Sequence, residues 1–157
     1  MKRPLKVIVV GGGVAGMSFA LRLIDLMGRG EVDIRLISKA PVETSNSHAA
    51  QGGVAAVIHP GDSWEQHRDD TIAVGAGRCD VEVVERVVRE GPACIQELMD
   101  IGARFDKDPQ GRLDAASEGG HHAPRVVHHS DHTGAEIVRV LQHKVRNAQD
   151  ISITETL

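Results

Sequence analysis

The stretch Val7-Ile8-Val9-Val10-Gly11-Gly12-Gly13-Val14-Ala15-Gly16 decides how this chain folds. Its consecutive apolar residues, Val7 to Val10, predict a short parallel strand buried on both faces. Gly11, Gly13 and Gly16 then stand in G-x-G-x-x-G spacing. The first glycine of that pattern permits a tight turn, the second lets backbone approach a pyrophosphate, and the third lets a helix pack closely on the strand. Free N–H groups and the helix dipole at the helix start favour negative charge there. From Val14 to Met27 the apolar residues Phe19, Leu21, Leu23, Ile24 and Met27 fall near helical spacing, and Gly28 and Gly30 supply a stop. Val32 to Ser38 alternates as a second strand. Strand, glycine turn, helix and strand thus fit as a βαβ unit with a nucleotide or dinucleotide site.

The second strand ends Ile37-Ser38-Lys39, without the acid that commonly accepts from the ribose of NAD. Lys39 suits either the extra phosphate of NADP or part of another dinucleotide such as FAD. Composition narrows the class. The 157 residues, 41% apolar with a formal charge of −4, describe an ordinary soluble domain without a nucleic-acid footprint. Cys79 and Cys94 do not make a disulfide framework or a C-x-x-C site and are read as reduced thiols of a cytoplasmic protein. Neither a signal peptide nor a membrane span is expected.

Downstream, Thr44 to Gly53 is small, polar and poor in charge, so its backbone is suited to approach a flat ligand. Asp62 and Glu65 read as a capping box opening a helix to Ala76. Asp80 opens another helix, Val81 to Arg89, with Val81, Val84, Val87 and Val88 on one face. Gly91-Pro92 is expected to break the chain before a third helix, Ala93 to Ile101. Asp108-Pro109-Gln110-Gly111 reads as a turn within a polar hairpin. Between Ser117 and His128 an acid, a glycine pair, histidines and Arg125 are crowded together, but nothing fixes a metal geometry and no metal is expected. Thr133 to Arg146 reads as a helix with Ile137, Val140, Leu141 and Lys144 along one side, and Asp150 to Leu157 as a strand.

Several motifs in order carry a resemblance: Val10-Gly-Gly-Gly-Val-Ala-Gly-Met-Ser18, Leu36-Ile-Ser-Lys39, Ala50-Gln-Gly-Gly-Val-Ala-Ala-Val57, Asp70-Thr-Ile-Ala-Val-Gly-Ala-Gly77, Glu118-Gly-Gly-His121 and Arg125-Val-Val-His-His-Ser-Asp-His-Thr-Gly134. Together they resemble the N-terminal part of the L-aspartate oxidases, within the flavoprotein family that also holds succinate dehydrogenase and fumarate reductase subunits. The fold class this implies is α/β: a Rossmann-like FAD-binding domain with a βαβ start and a parallel sheet with a helical insertion. It is expected to be incomplete at the C-terminus. Residues 1–157 would be its N-terminal part, and the capping and C-terminal domains would be absent.

The resemblance also implies a site. Gly11, Gly12, Gly13, Val14, Ala15 and Gly16 would hold the FAD pyrophosphate, and Ser38 and Lys39 would contact the cofactor. Asn46, Ser47, His48, Ala49, Ala50, Gln51, Gly52 and Gly53 would wrap the ribityl chain and isoalloxazine. Ser47-His48 is similar to the covalent attachment site of succinate dehydrogenase subunits, but it stands two residues nearer Gln51, so non-covalent FAD is expected. Glu118 would orient the substrate, a carboxylate near the α-amino group favouring L-aspartate over succinate. Asp131, Thr133 and Gly134 match the family pattern, and helix capping accounts for them as well. The implied reaction is oxidation of L-aspartate to iminoaspartate with O2 or fumarate as acceptor. Its product would pass to quinolinate synthesis on the route to NAD, with quinolinate synthase as a partner. The general acid/base arginine and dicarboxylate clamps of the family would lie beyond Leu157, leaving these residues alone inactive. The alternatives are a succinate/fumarate-type subunit and a non-catalytic FAD- or NADP-binding module.

Overall fold

Strand β1 (Leu5–Val10), helix α1 (Val14–Met27) and strand β2 (Val32–Ser38) lie where the periodicity places them in the computed structural model, which describes residues 3–155. β1 and β2 pair in parallel from Leu5↔Val32 to Val10↔Ile37. β6 (Ile151–Glu155) pairs in parallel along the other side of β2, from Ile34↔Ile151 to Ser38↔Glu155, giving the order β1-β2-β6. Thr156 and Leu157, which the sequence reading included in this strand, lie outside the described residues. Central β2 buries alternate residues, Val32, Ile34, Leu36 and Ser38.

β1 departs from its predicted burial. Val9 is buried facing Gly16 of α1, whereas Ile8 and Val10, of opposite parity, are 68% and 83% exposed. A strand covered by a helix on one face buries every second residue, however apolar its run. α1 likewise buries Met17, Ala20 and Ile24, while Phe19 and Met27 are exposed. The small Ala20 and the close approach at Gly16 shift the packed stripe away from the larger side chains.

Residues 3–51 and 134–155 form one compact unit, and residues 52–133 a second. The first also contains a short 3-10 turn, Val42–Thr44, and nearly all of helix α4 (Thr133–Arg146). α4 buries Ile137, Val138, Val140, Leu141 and Val145, while Lys144 is exposed rather than lying on that side.

In the second unit, β3 (Val54–Ala55), β4 (Ala115–Ala116) and β5 (Val126–Val127) form an antiparallel sheet in the order β3-β5-β4. Helices α2 (Trp64–Val74) and α3 (Val81–Asp100) pack together. The N-cap of α2 is Ser63, whose hydroxyl accepts from Gln66 N–H at 3.1 Å, rather than Asp62. Asp80 caps α3 as expected, accepting from the Glu82 and Val83 N–H groups.

α3 runs through Gly91-Pro92 without the expected break. Pro92 has no N–H for the Val88 carbonyl, which costs stability in a helix interior. Val88 and Ile95 are two turns apart on one face and both are buried, and Gly91 lies against Ala55 and Ala56. That continuous packed face overrides the local preference, while Val81 and Val87 are exposed instead of sharing the buried stripe. The turn at Asp108 to Gly111 forms as read, with Gly111 N–H donating to the Asp108 carbonyl at 2.9 Å. Among the described residues no helix is long and apolar enough to cross a membrane.

Candidate functional site

Three of the predicted site segments converge within the first unit. Gly11 has φ +114°, a left-handed value that favours glycine, and its N–H donates to the Ile37 carbonyl at 2.8 Å, joining the turn to the end of β2. A Cβ on Gly16 would collide with the Gly11 carbonyl oxygen, so the turn and the helix start are packed backbone to backbone. Gly13 is the N-cap of α1 and makes no side-chain cap bond. The first turn of α1 also contains no acidic residue, which leaves its dipole, and its N–H groups other than that of Val14, available to an anion.

The loop carrying Asn46 to Gln51 reaches this helix start. Ser47 Oγ lies 3.4 Å from Val14 N and would lie 3.1 Å from a Cβ on Gly13. Ser45 orders the loop by accepting His48 N–H at its hydroxyl and Ala49 N–H at its carbonyl, at 3.2 and 3.1 Å. Asn46, Ala49, Ala50 and Gln51 are exposed, and Ser47 and His48 half-buried. At the end of β2, Ser38 is buried with its hydroxyl donating to the Ala40 carbonyl at 2.6 Å, and Lys39 is exposed.

The loop is held from below by α4. Gly134 N–H donates to the Ala50 carbonyl at 3.0 Å. A Cβ on Gly134 would lie 2.7 Å from that oxygen, 2.9 Å from Ala50 Cβ, and in collision with the Ser47 carbonyl. Capping does not explain this glycine; close backbone approach does. The signal was in the sequence, because glycine in a first helical turn is poorly placed by propensity alone. Neighbouring Thr133 accepts His129 N–H at its hydroxyl, 3.0 Å away.

Gly52, Gly53 and Glu118 belong to the second unit. Gly52 is open to solvent, whereas Gly53 lies flat against β5, where a Cβ would collide with Val126 Cγ1 and the Val127 carbonyl. Glu118 stands on the exposed loop between β4 and β5, and among the described residues its carboxylate makes no hydrogen bond or ion pair.

Sequence reasoning missed the cluster around Arg125. This guanidinium is 0% exposed and is held by two acids. Asp62 takes it bidentately, at 2.8 Å from Nε and 2.7 Å from Nη2, and Asp70 accepts from Nη1 at 2.7 Å. Asp70 also accepts His122 N–H at 3.0 Å and pairs with His122 Nδ1. Burial alone would raise the Asp70 pKa, but the His122 N–H, the His122 ring and Arg125 outweigh it and bring it down to about 2.

His67 is buried beside this cluster, its ring edge-on to His121 at 5.8 Å between centroids, and the Nδ1 atoms of both lack a hydrogen-bond partner among the described residues. Burial, then the charges of Arg125 and His121, lower its pKa below 6.5. The unfolded chain therefore takes up this proton at higher pH than the folded chain, and stability declines as pH falls below about 6.5. His67→Gln is expected to flatten that decline between about pH 7 and 5 in urea unfolding. An unchanged pH slope would show that His67 takes up its proton as readily in the folded chain as in the unfolded one.

Comparison with known proteins fits this geometry. Residues 6–157 match the family model described as FAD binding domain. The L-aspartate oxidase of rice chloroplasts, from Oryza sativa subsp. japonica, is 47% identical over 93% of this chain and 22% of its own length. That of Streptomyces coelicolor is 45% identical over 89% of the chain and 24% of its own. A solved E. coli quinol fumarate reductase superposes with a TM-score of 0.90 at 30% identity, over 97% of this chain and 26% of that one. The chain thus spans about a quarter of the length of these relatives.

Proposed function

We propose, since this chain belongs to the FAD-binding-domain family, that it is the N-terminal part of the FAD domain of an enzyme oxidising L-aspartate to iminoaspartate. O2 or fumarate would be the final acceptor, and the product would go to quinolinate synthesis. The observation that carries this reading is the meeting of the glycine turn, the end of β2 and the loop at Ser47 around a helix start that carries no acid and no side-chain cap from its own N-cap residue. Those residues fit FAD. The turn Gly11 to Gly16 would receive the pyrophosphate, with Ser38 and Lys39 beside it. The small-residue loop Asn46 to Gly53 would line the flavin.

Bound FAD supplies the two-electron acceptor for the substrate C–H bond. Glu118 supplies an unpaired carboxylate suited to an ammonium group, which would orient L-aspartate and distinguish it from succinate. The names of the relatives support L-aspartate as the substrate. The remaining groups for catalysis would come from outside residues 1–157, as would the capping and C-terminal domains; the length of the relatives supports this division.

The fumarate reductase superposition favours a second reading, a succinate/fumarate-type subunit. One experiment separates them. The natural polypeptide carrying this chain is expected to bind FAD in preference to NADPH and release it on acid precipitation, leaving no flavin fluorescence on the protein. It is also expected to form iminoaspartate from L-aspartate. Flavin retained after precipitation, together with oxidation of succinate but not aspartate, would establish the second reading.

A further inference from the structure

We propose that Asp70 is a positioning residue for Glu118, fixing from α2 the loop that presents it; this rests on the reading of Glu118 as the group that orients the substrate. The loop joins β4 to β5, whose register is Ala115↔Val127 and Ala116↔Val126. Arg125 N–H closes its base on the Ala116 carbonyl at 3.2 Å. Inside the loop His121 N–H donates to the Glu118 carbonyl at 3.2 Å, so the backbone of Glu118 follows that of His121. Gly120, at φ +88°, turns the loop toward α2, where a Cβ on it would lie 2.6 Å from Val74 Cγ2.

Asp70 is what ties this turn down. Its Oδ2 accepts His122 N–H at 3.0 Å and Arg125 Nη1 at 2.7 Å, and its Oδ1 pairs with the His122 ring. Two loop positions are therefore held by one buried carboxylate on a helix. Asp62 already occupies two edges of the Arg125 guanidinium, so Arg125 has a counter-ion without Asp70. The second acid adds a hold on His122, four residues beyond Glu118. A short loop with one end in a β-pair and its middle on a helix presents its remaining side chain at a set place, as orientation of a substrate ammonium requires.

Two variants test this in the natural polypeptide. Asp70→Asn removes the charge and leaves a single acceptor oxygen, which weakens the joint hold on His122 N–H, the His122 ring and Arg125 Nη1. His122→Ala removes only the ring, which is 73% exposed, and keeps the proposal testable if the first variant unfolds. Both are expected to speed amide exchange at residues 119–122. Both are also expected to raise KM for L-aspartate about tenfold or more with FAD content retained. Glu118→Gln is the reference. Combined with it, Asp70→Asn should add little, because both act on one group.

If Glu118→Gln weakens L-aspartate use while both other variants keep wild-type KM and exchange, the positioning role is overturned and the role of Glu118 stands. If Glu118→Gln leaves L-aspartate use and its discrimination from succinate unchanged, the role of Glu118 fails and the functional positioning role fails with it.

Discussion

Replacement of Arg125 by alanine is expected to cost roughly 3–5 kcal/mol, a large part of the stability of an ordinary domain, measurable by urea unfolding. The figure comes from what the substitution leaves behind. Asp62 and Asp70 have side chains only 2% exposed, and each would lose its guanidinium contact. Two buried carboxylates without a cation must take up protons or draw in water. Arg125→Lys is expected to recover only part of the loss, because an ammonium cannot make the bidentate contact with Asp62. Arg125→Met combined with Asp62→Asn and Asp70→Asn should be milder than Arg125→Ala, since the unpaired charges are then removed too. A loss below about 1 kcal/mol for Arg125→Ala would mean that solvent already reaches the acids.

Gly134→Ala presents opposing expectations, and magnitude decides between them. Helix propensity alone favours alanine by about 1 kcal/mol. The added Cβ, however, would meet the Ala50 carbonyl and the Ser47 carbonyl, which are backbone atoms without a side-chain rotation to relieve them. Overpacking of this kind costs roughly 1–3 kcal/mol. The net effect is expected to be destabilising, and the displaced loop is the one that would line the flavin. FAD affinity, titrated by flavin fluorescence, is expected to fall about tenfold or more, in proportion to the loop's displacement. Stabilisation with unchanged FAD affinity would show that the loop yields freely.

The first βαβ unit was legible because its determinants are local: alternation, a glycine fingerprint and a glycine stop act within a few residues. What was not legible depends on partners distant in sequence. The exposure of Ile8 and Val10 follows from which face of β1 a helix covers. The continuity of α3 through Pro92 follows from burial of Val88 and Ile95, not from residues 91 and 92 themselves. Asp62 looked like a cap because it precedes a helix, yet its carboxylate is taken by a guanidinium 63 positions away. The loop from Thr44 to Gly53 was legible from its small, uncharged residues, and Glu118 from a family motif. The partners of Gly134 and Asp70, the Ser47 and Ala50 carbonyls for the one and the His122 N–H for the other, lie too far away in sequence to be read from local pattern.

The hydrogen bond from Gly134 to Ala50 also bears on how the chain is made. It brings together the two points at which the first unit is interrupted by residues 52–133. Strand β2 acquires its second neighbour, β6, only after that whole interruption has been synthesised. During translation the intervening unit is therefore the first that can finish its own contacts, while β1, α1 and β2 wait as a partial sheet. Closing so long a loop costs little more entropy than closing one half its length. The delay is one of timing rather than equilibrium, and it assigns the period of greatest exposure to misassociation to the nascent β1–β2 pair.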